Sequence, residues 1–145
     1  MNTASTSAGP TPQGNYKPAS RFGDLIYTSG MTPRVNGKLR FTGPVRSNDP
    51  VEQWRDAVII ACRNALTAAR SMLGQGEGLA GVPSMTVFLA AEPGFVQHSK
   101  LADFASGFLV DELGEKGIGS RAAVGVATLP GNAPVEIQIV FAVER

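Results

Sequence analysis

The alternation of apolar and polar positions along the chain predicts a domain that mixes strands and helices. Two short strand patterns, Lys17–Arg21 and Leu25–Ser29, flank a Phe-Gly-Asp turn signal and are expected to form a hairpin. A second hairpin is expected around the Asn36-Gly37 pair, because both central positions of a type I′ turn need positive φ. Apolar residues then recur every three or four positions over residues 51–72, which is typical of a helix with one buried face.

Signals at both ends delimit this first helix. Asp49 is expected to cap it, Pro50 suits the first helical position, and Glu52 completes the capping pattern. A Gly-Gln-Gly segment at residues 74–76 is expected to end it. The almost wholly apolar pattern over residues 82–91 predicts a central strand of the sheet.

The remaining residues predict a second helix and a closing pair of strands. The helix is expected over residues 95–113, and the strands lie in the stretch GSRAAVGVATLPGNAPVEIQIVFAV. If these strands form a hairpin around Gly131-Asn132, Arg121 and Glu136 lie roughly 20 Å apart, too far to share one small ligand. The element order predicts an α+β fold, a single sheet with two helices packed on one face.

Composition narrows the functional classes. The 145 residues, 43% of them hydrophobic, fit one domain, which we place at residues 16–145 behind a flexible tail at residues 1–15. A formal net charge of +1 favours neither nucleic acid nor a membrane surface. No apolar run has the length of a membrane span or a signal peptide, so a soluble, cytoplasmic protein is expected. With one cysteine, Cys62, expected in the core, and one histidine, His98, expected at the surface, we predict no metal site.

Two residues of the closing strands carry the candidate chemistry. Arg121 stands among small residues, where its planar fork could grip a substrate carboxylate through two parallel hydrogen bonds. Glu136, on the next strand, could position a water molecule. A structural ion pair remains the alternative for Arg121. An ordinary solvated carboxylate remains the alternative for Glu136, which by its period faces away from the core.

Four motifs give the chain a resemblance to the reactive intermediate deaminase family, the Rid or YjgF-like proteins. The resemblance spans residues 16–144, and its most specific part is an arginine that heads a small-residue strand, followed by Leu-Pro and Val-Glu-Ile. The motifs are Tyr16, IYTSG at Ile26–Gly30, TVFLA at Thr86–Ala90, and SRAAVGVATLP followed by VEIQIVFAV.

The resemblance implies a chorismate-mutase-like fold of the bacillus type and a homotrimer with three clefts between subunits. It also implies hydrolysis, without a cofactor, of carboxylate-bearing enamines and imines to ammonia and a 2-keto acid. In these terms Arg121 matches the carboxylate clamp, Glu136 the residue that positions water, and Tyr16 the cleft mouth. Ser29 and Gly30 match the small strand end that approaches the ligand.

Other positions depart from the family pattern and resemble a divergent subgroup. Ala123 stands where deaminating members often have cysteine, and Ser99 where they often have asparagine. The segment before Arg121 is longer than usual and lacks the common Pro-Ala-Arg. These changes would reshape the substrate pocket around an intact clamp. A non-catalytic trimer that binds a small carboxylate is therefore the second hypothesis, and endoribonuclease activity is a distant third.

Overall fold

The computed structural model describes residues 9–145, so residues 1–8 of the expected tail lie outside the described residues. Residues 9–15 contain neither helix nor strand. The strands are β1 (Ala19–Phe22), β2 (Leu25–Thr28), β3 (Arg34–Val35), β4 (Lys38–Leu39), β5 (Gly78–Ala90), β6 (Arg121–Val126) and β7 (Val135–Glu144). The helices are α1 (Arg55–Arg70) and α2 (His98–Leu113), with 3-10 turns at Val51–Trp54, Gly114–Gly117 and Pro130–Asn132.

The main sheet has five strands in the order β1-β2-β7-β5-β6. Its neighbours pair antiparallel except β5 and β6, which run parallel across the connection through α2. The β3–β4 hairpin forms a separate two-stranded sheet. The α+β prediction is confirmed, although this extra hairpin means that the strands do not all belong to one sheet.

Both helices cover the same face of the main sheet. Along β5 the side chains of Met85, Val87 and Leu89 are buried, whereas the alternating Thr86 and Phe88 are more exposed. Helix α1 packs on β2 and β7, and α2 packs on β5 and β6. The opposite face of the sheet carries no helix among the described residues.

The first helix buries the predicted stripe, but its start differs from the prediction. Cys62 lies in the core as expected, and burial raises the pKa of its thiol to about 12. Asp49 does not cap the helix, because its carboxylate accepts hydrogen bonds from the Arg46 amide (2.8 Å) and the Trp54 indole (3.0 Å). A 3-10 turn follows Pro50, and α1 begins only at Arg55.

The two early hairpins are confirmed. β1 pairs with β2. Asn36 and Gly37 adopt φ of 54° and 80°, as a type I′ turn requires.

The prediction of a closing hairpin is wrong. β6 and β7 are not neighbours, because β5 lies between them and pairs with both. The intervening loop contains a 3-10 turn at Pro130–Asn132 instead of a hairpin turn, and Asn132 exchanges hydrogen bonds with Gly43 (Gly43 N to Asn132 O 2.7 Å, Asn132 Nδ2 to Gly43 O 3.0 Å). The strand predicted at residues 82–91 corresponds to β5 and is central as expected, since it is flanked by β7 and β6, although the middle strand of the five is β7.

Between residues 9 and 145, the helices are too short or too polar to cross a membrane.

Candidate functional site

The seven predicted site residues fall into two groups on opposite faces of the sheet. Arg121 pairs with Met85, whose side chain is buried beneath the helices, and Glu136 pairs with Phe88 on the open face. Directly paired residues share a face, so the two candidate residues point in opposite directions. Two strand spacings and three residues along the strand put their Cα atoms on the order of 14 Å apart. Within one chain they cannot contact the same small ligand.

The arginine group consists of Arg121, Ala123 and Ser99. The guanidinium of Arg121 donates from one terminal nitrogen to Asp103 Oδ1 and Ser106 Oγ (both 2.9 Å), and from the other to Ser99 Oγ (2.9 Å) and Ser99 O (3.2 Å). Its side chain is only 20% exposed. The structural ion pair considered from the sequence is thus present, and the same contacts fix the guanidinium at the edge of the sheet.

A ligand carboxylate would have to compete for this guanidinium. Its two terminal nitrogens carry four N–H groups, and four protein acceptors already lie within hydrogen-bond distance. Asp103 is the exchangeable partner, because its side chain is 67% exposed. Ala123, two residues further along the same face of β6, is partly buried and contributes only a methyl group. The strand surface beside the guanidinium is therefore flat.

The glutamate group consists of Glu136, Gly30, Ser29 and Tyr16. The carboxylate of Glu136 lies so close to Gly30 that a Cβ added at Gly30 would overlap with Oε2. Reciprocal hydrogen bonds of 2.8 Å between Met31 and Ile137 hold the two segments together. Burial raises the pKa of Glu136, and no hydrogen bond to its carboxylate is found in residues 9–145. A desolvated carboxylate of this kind is a stronger proton acceptor than an exposed one.

Ser29 and Tyr16 border the same region. Ser29 Oγ donates to Lys17 O at 2.6 Å, which fixes the end of β2. Tyr16 is 47% exposed and its hydroxyl accepts from the Gln13 amide at 3.1 Å. Tyr16 and Gly30 both line a cavity of about 400 Å³ between the segment at residues 9–16, the β3–β4 hairpin and α1.

Sequence reasoning missed two residues that contact the guanidinium of Arg121. Asp103 and Ser106 hold the guanidinium, and with Ser99 they occupy one stripe of α2 at the spacing i, i+4, i+7. That polar stripe, in line with the residue predicted at Ser99, was the available signal. His98, which the sequence places at the surface, is partly buried at the start of α2.

Over residues 9–145, no three side chains of His, Cys, Asp or Glu come together in a way that could hold a metal ion.

Comparison with known proteins identifies the family. The family model described as Endoribonuclease L-PSP matches residues 6–143. A 2-iminobutanoate/2-iminopropanoate deaminase from Dermatophagoides farinae is 29% identical over 144 residues, which cover 97% of this chain and 94% of that protein. Protein TCP17 from Trypanosoma cruzi is 28% identical over 131 residues, which cover 90% of this chain and 82% of that protein.

Among solved structures, the protein Atu1372 from Agrobacterium tumefaciens has 33% sequence identity and a TM-score of 0.76, with 90% of this chain and 82% of that chain covered. The chain therefore belongs to the Endoribonuclease L-PSP family, the YjgF or Rid family that its sequence motifs resemble.

Proposed function

We propose that the protein is a homotrimeric deaminase that hydrolyses small enamines and imines bearing a carboxylate, with release of ammonia and a 2-keto acid. The observation that carries the proposal is the guanidinium of Arg121, held at the edge of the sheet beside the small residue Ala123. A relative named as a 2-iminobutanoate/2-iminopropanoate deaminase, 29% identical over 97% of this chain, supports the same reaction class.

The chemistry requires few groups. Arg121 binds the substrate carboxylate with N–H groups that Asp103 and Ser99 occupy in the free chain. A water molecule adds to the carbon of the protonated imine while the carboxylate of Glu136 accepts one proton from that water, so that a neutral carbinolamine forms. The C–N bond then breaks, ammonia leaves, and the carbon becomes the carbonyl of the 2-keto acid. Positioning supplies most of the acceleration, because an imine beside a carboxylate is already electrophilic.

The trimer is part of the proposal because one chain separates the two groups. The face of the sheet that carries Glu136 also exposes Phe22 (73% exposed), Leu25, Tyr27 and Val124. A surface of this kind is typical of an interface between subunits. A neighbouring copy seated there would bring its arginine group toward this chain's glutamate group. Light scattering that finds a monomer at assay concentration would contradict the shared site.

The test is a panel of imines generated in situ from small amino acids, with formation of the 2-keto acid as the readout. We expect wild-type protein to accelerate hydrolysis and Arg121→Ala to lose the acceleration. Arg70→Ala is the matched control, because Arg70 forms a surface ion pair with Glu112 (3.1 Å) away from both groups. An RNA substrate assayed in parallel tests the endoribonuclease activity for which the family is named. Equal rates for wild type and Arg121→Ala would refute the clamp.

A carboxylate-binding protein without turnover is the second candidate. The observation that favours it is that the guanidinium of Arg121 is already satisfied by Asp103, Ser106 and Ser99. Binding needs only the exchange of Asp103 and Ser99 for the carboxylate of the ligand, whereas catalysis also needs Glu136 from a neighbour. Saturable binding of 2-oxobutanoate that Arg121→Ala abolishes, with no acceleration of imine hydrolysis by wild type, would select this function.

A further inference from the structure

The single histidine of the chain occupies a defined position beside the arginine group. His98 is the first residue of α2, and its ring meets the ring of Phe95 edge-on, with the centroids 5.1 Å apart. Within residues 9–145 its ring nitrogens have no hydrogen-bond partner, although the residue is partly buried. An oriented imidazole with a free nitrogen is available to a ligand.

The nitrogen Nε2 of this ring lies over Gly125. A Cβ placed on Gly125 would stand 2.9 Å from Nε2, so a larger residue there would push the imidazole away. Arg121, Ala123 and Gly125 alternate along β6 and therefore face α2 together. The imidazole covers Gly125 at one end of this stripe, and the side chain of Arg121 starts at the other end.

The side chain of Arg121 brings its guanidinium toward the imidazole. One terminal nitrogen bonds both Ser99 Oγ (2.9 Å) and Ser99 O (3.2 Å), and Ser99 directly follows His98 in the chain. The bonds to Ser99 therefore place one end of the guanidinium at the first turn of α2, one residue along the chain from His98. Ala123 and Gly125 have no bulky side chains, so the strand surface between the guanidinium and the imidazole is open. A small ligand held by the guanidinium would therefore have its other end near Nε2 of His98.

We infer that His98 is the general acid of the proposed deaminase, which protonates the nitrogen that leaves as ammonia. The inference rests on the proposed function. After water has added to the imine carbon, the imidazolium gives its Nε2 proton to the amine nitrogen of the carbinolamine. The C–N bond breaks, the lone pair of the hydroxyl oxygen forms the carbonyl, and the hydroxyl proton passes to solvent water. Glu136, which holds the proton of the attacking water, releases that proton to solvent as well. The neutral imidazole regains its proton from water before the next turnover.

The charged residues near the His98 ring are engaged with other partners or lie on neighbouring elements. β5, which lies behind β6, carries no charged residue. Asp103 is paired with Arg121 at 2.9 Å, and Glu92 accepts a hydrogen bond from the Ser47 amide at 2.7 Å. The charged groups on the elements around the ring are Arg121 on β6, Lys100 and Asp103 on α2, Glu92 in the preceding loop and Glu52 in the 3-10 turn that packs on α2.

Kinetics of His98→Gln test the inference, because glutamine keeps a polar group at similar reach but cannot titrate near neutral pH. We expect kcat to fall at least about a hundredfold, the usual contribution of a positioned acid, with KM little changed. The decline of wild-type kcat toward alkaline pH should vanish in the variant. Gly125→Ala should lower kcat as well by displacing the ring, whereas Gly107→Ala on α2, where an added Cβ meets nothing within 4 Å, should not.

A binding experiment gives a readout that does not need turnover. Because the protein has one histidine, its ring resonances are assigned directly, and titration with the product analogue 2-oxobutanoate should shift them in wild type but not in Arg121→Ala. Unshifted resonances at saturating 2-oxobutanoate would overturn the inference. So would unchanged kcat and pH profile in His98→Gln when Arg121→Ala is inactive, and in that case the proposed function would stand. A wild type that accelerates no imine would overturn both.

Discussion

The arginine group and the glutamate group differ in how their charges are compensated: Arg121 is paired with protein acceptors, whereas Glu136 is desolvated. Arg121 is fully engaged by Ser99, Asp103 and Ser106, so its charge is oriented and neutralised before any ligand arrives. Glu136 is half-buried against Gly30, and burial raises its pKa. The first group is stable in a single chain, whereas the second costs stability. Functional sites often contain groups that lower the stability of the fold. Here the desolvated carboxylate of Glu136 would act on a ligand that is held by the arginine of a neighbouring subunit.

The strongest test of this comparison is complementation between two inactive variants. We expect Arg121→Ala and Glu136→Gln each to lose activity when assayed alone. If each site takes its arginine from one subunit and its glutamate from another, random remixing in equal amounts should restore about a quarter of wild-type activity, because half of the subunits carry each intact group. Keto-acid formation before and after remixing by mild denaturation is the measurement.

The control for complementation is the double variant Arg121→Ala, Glu136→Gln, remixed with wild type. Its intact sites come only from adjacent wild-type pairs, so it sets the background for exchange. Mass spectrometry verifies that subunits have exchanged. If the first mixture then recovers no activity, either each site takes both groups from one subunit or one of the two groups has no role in catalysis.

Gly30→Ala should disrupt the glutamate group alone. The added Cβ overlaps with the carboxylate of Glu136, so that side chain must move, and we expect kcat to fall on the order of a hundredfold. Gly107→Ala is the matched control, since a Cβ there meets nothing within 4 Å and alanine favours the helix by up to about 1 kcal/mol. Full activity in Gly30→Ala would mean that the contact between Gly30 and Glu136 has no catalytic role.

Glu77→Gln should separate stability from activity. Arg21 binds Glu77 through two hydrogen bonds (2.6 and 2.8 Å), and with the Gly74 amide it lowers the pKa of Glu77 to about 2. Since the folded-state pKa lies below the ordinary 4.5, this stabilisation is present above pH 4.5 and lost as the pH falls toward 2. We expect the variant's Tm to be several degrees lower at pH 7, with kcat/KM unchanged. A loss of activity at temperatures well below its Tm would link this distant ion pair to the site.

Glu136→Gln should have the smallest effect on stability, and of the opposite sign. Burial raises the folded-state pKa of Glu136 above its ordinary 4.5, so stability is lost as pH rises from 4.5 through the folded pKa. The amide carries no charge to bury, and the variant should melt one or two degrees higher at pH 8 but not at pH 4. Thermal melts of the variant and of wild type between pH 4 and pH 8 test this prediction. A Tm of the variant below that of wild type at pH 8 would contradict a desolvated carboxylate at Glu136.

Local patterns were sufficient for much of the fold. The Asn36-Gly37 turn, the buried stripe of α1 and the hairpin of β1 and β2 follow from residue preferences within a few positions. The pairing of the last strands did not follow, because it depends on β5, which is distant in sequence and lies between them. Asp49 likewise satisfied the capping pattern but bonds to the indole of Trp54 instead.

The residues of the candidate site were predictable from the sequence, but their separation onto two faces of the sheet was not. Arg121 and Glu136 were found from their types and motifs, whereas the faces they occupy depend on the parity with which β5 pairs to each strand. The partners of Arg121 on α2 required the packing of that helix over β6. His98 was misplaced because nothing in its local sequence reports the glycine opposite its ring.

The position of β6 at the sheet edge has a consequence for folding kinetics. Among residues 9–145, this six-residue strand pairs with β5 alone, from which it is separated by the whole of α2. Closing such a connection is slow compared with forming a hairpin, so β6 should join the sheet late and exchange its amide hydrogens earliest among the strands. The residue that would recognise the substrate is therefore carried by the part of the sheet that forms last.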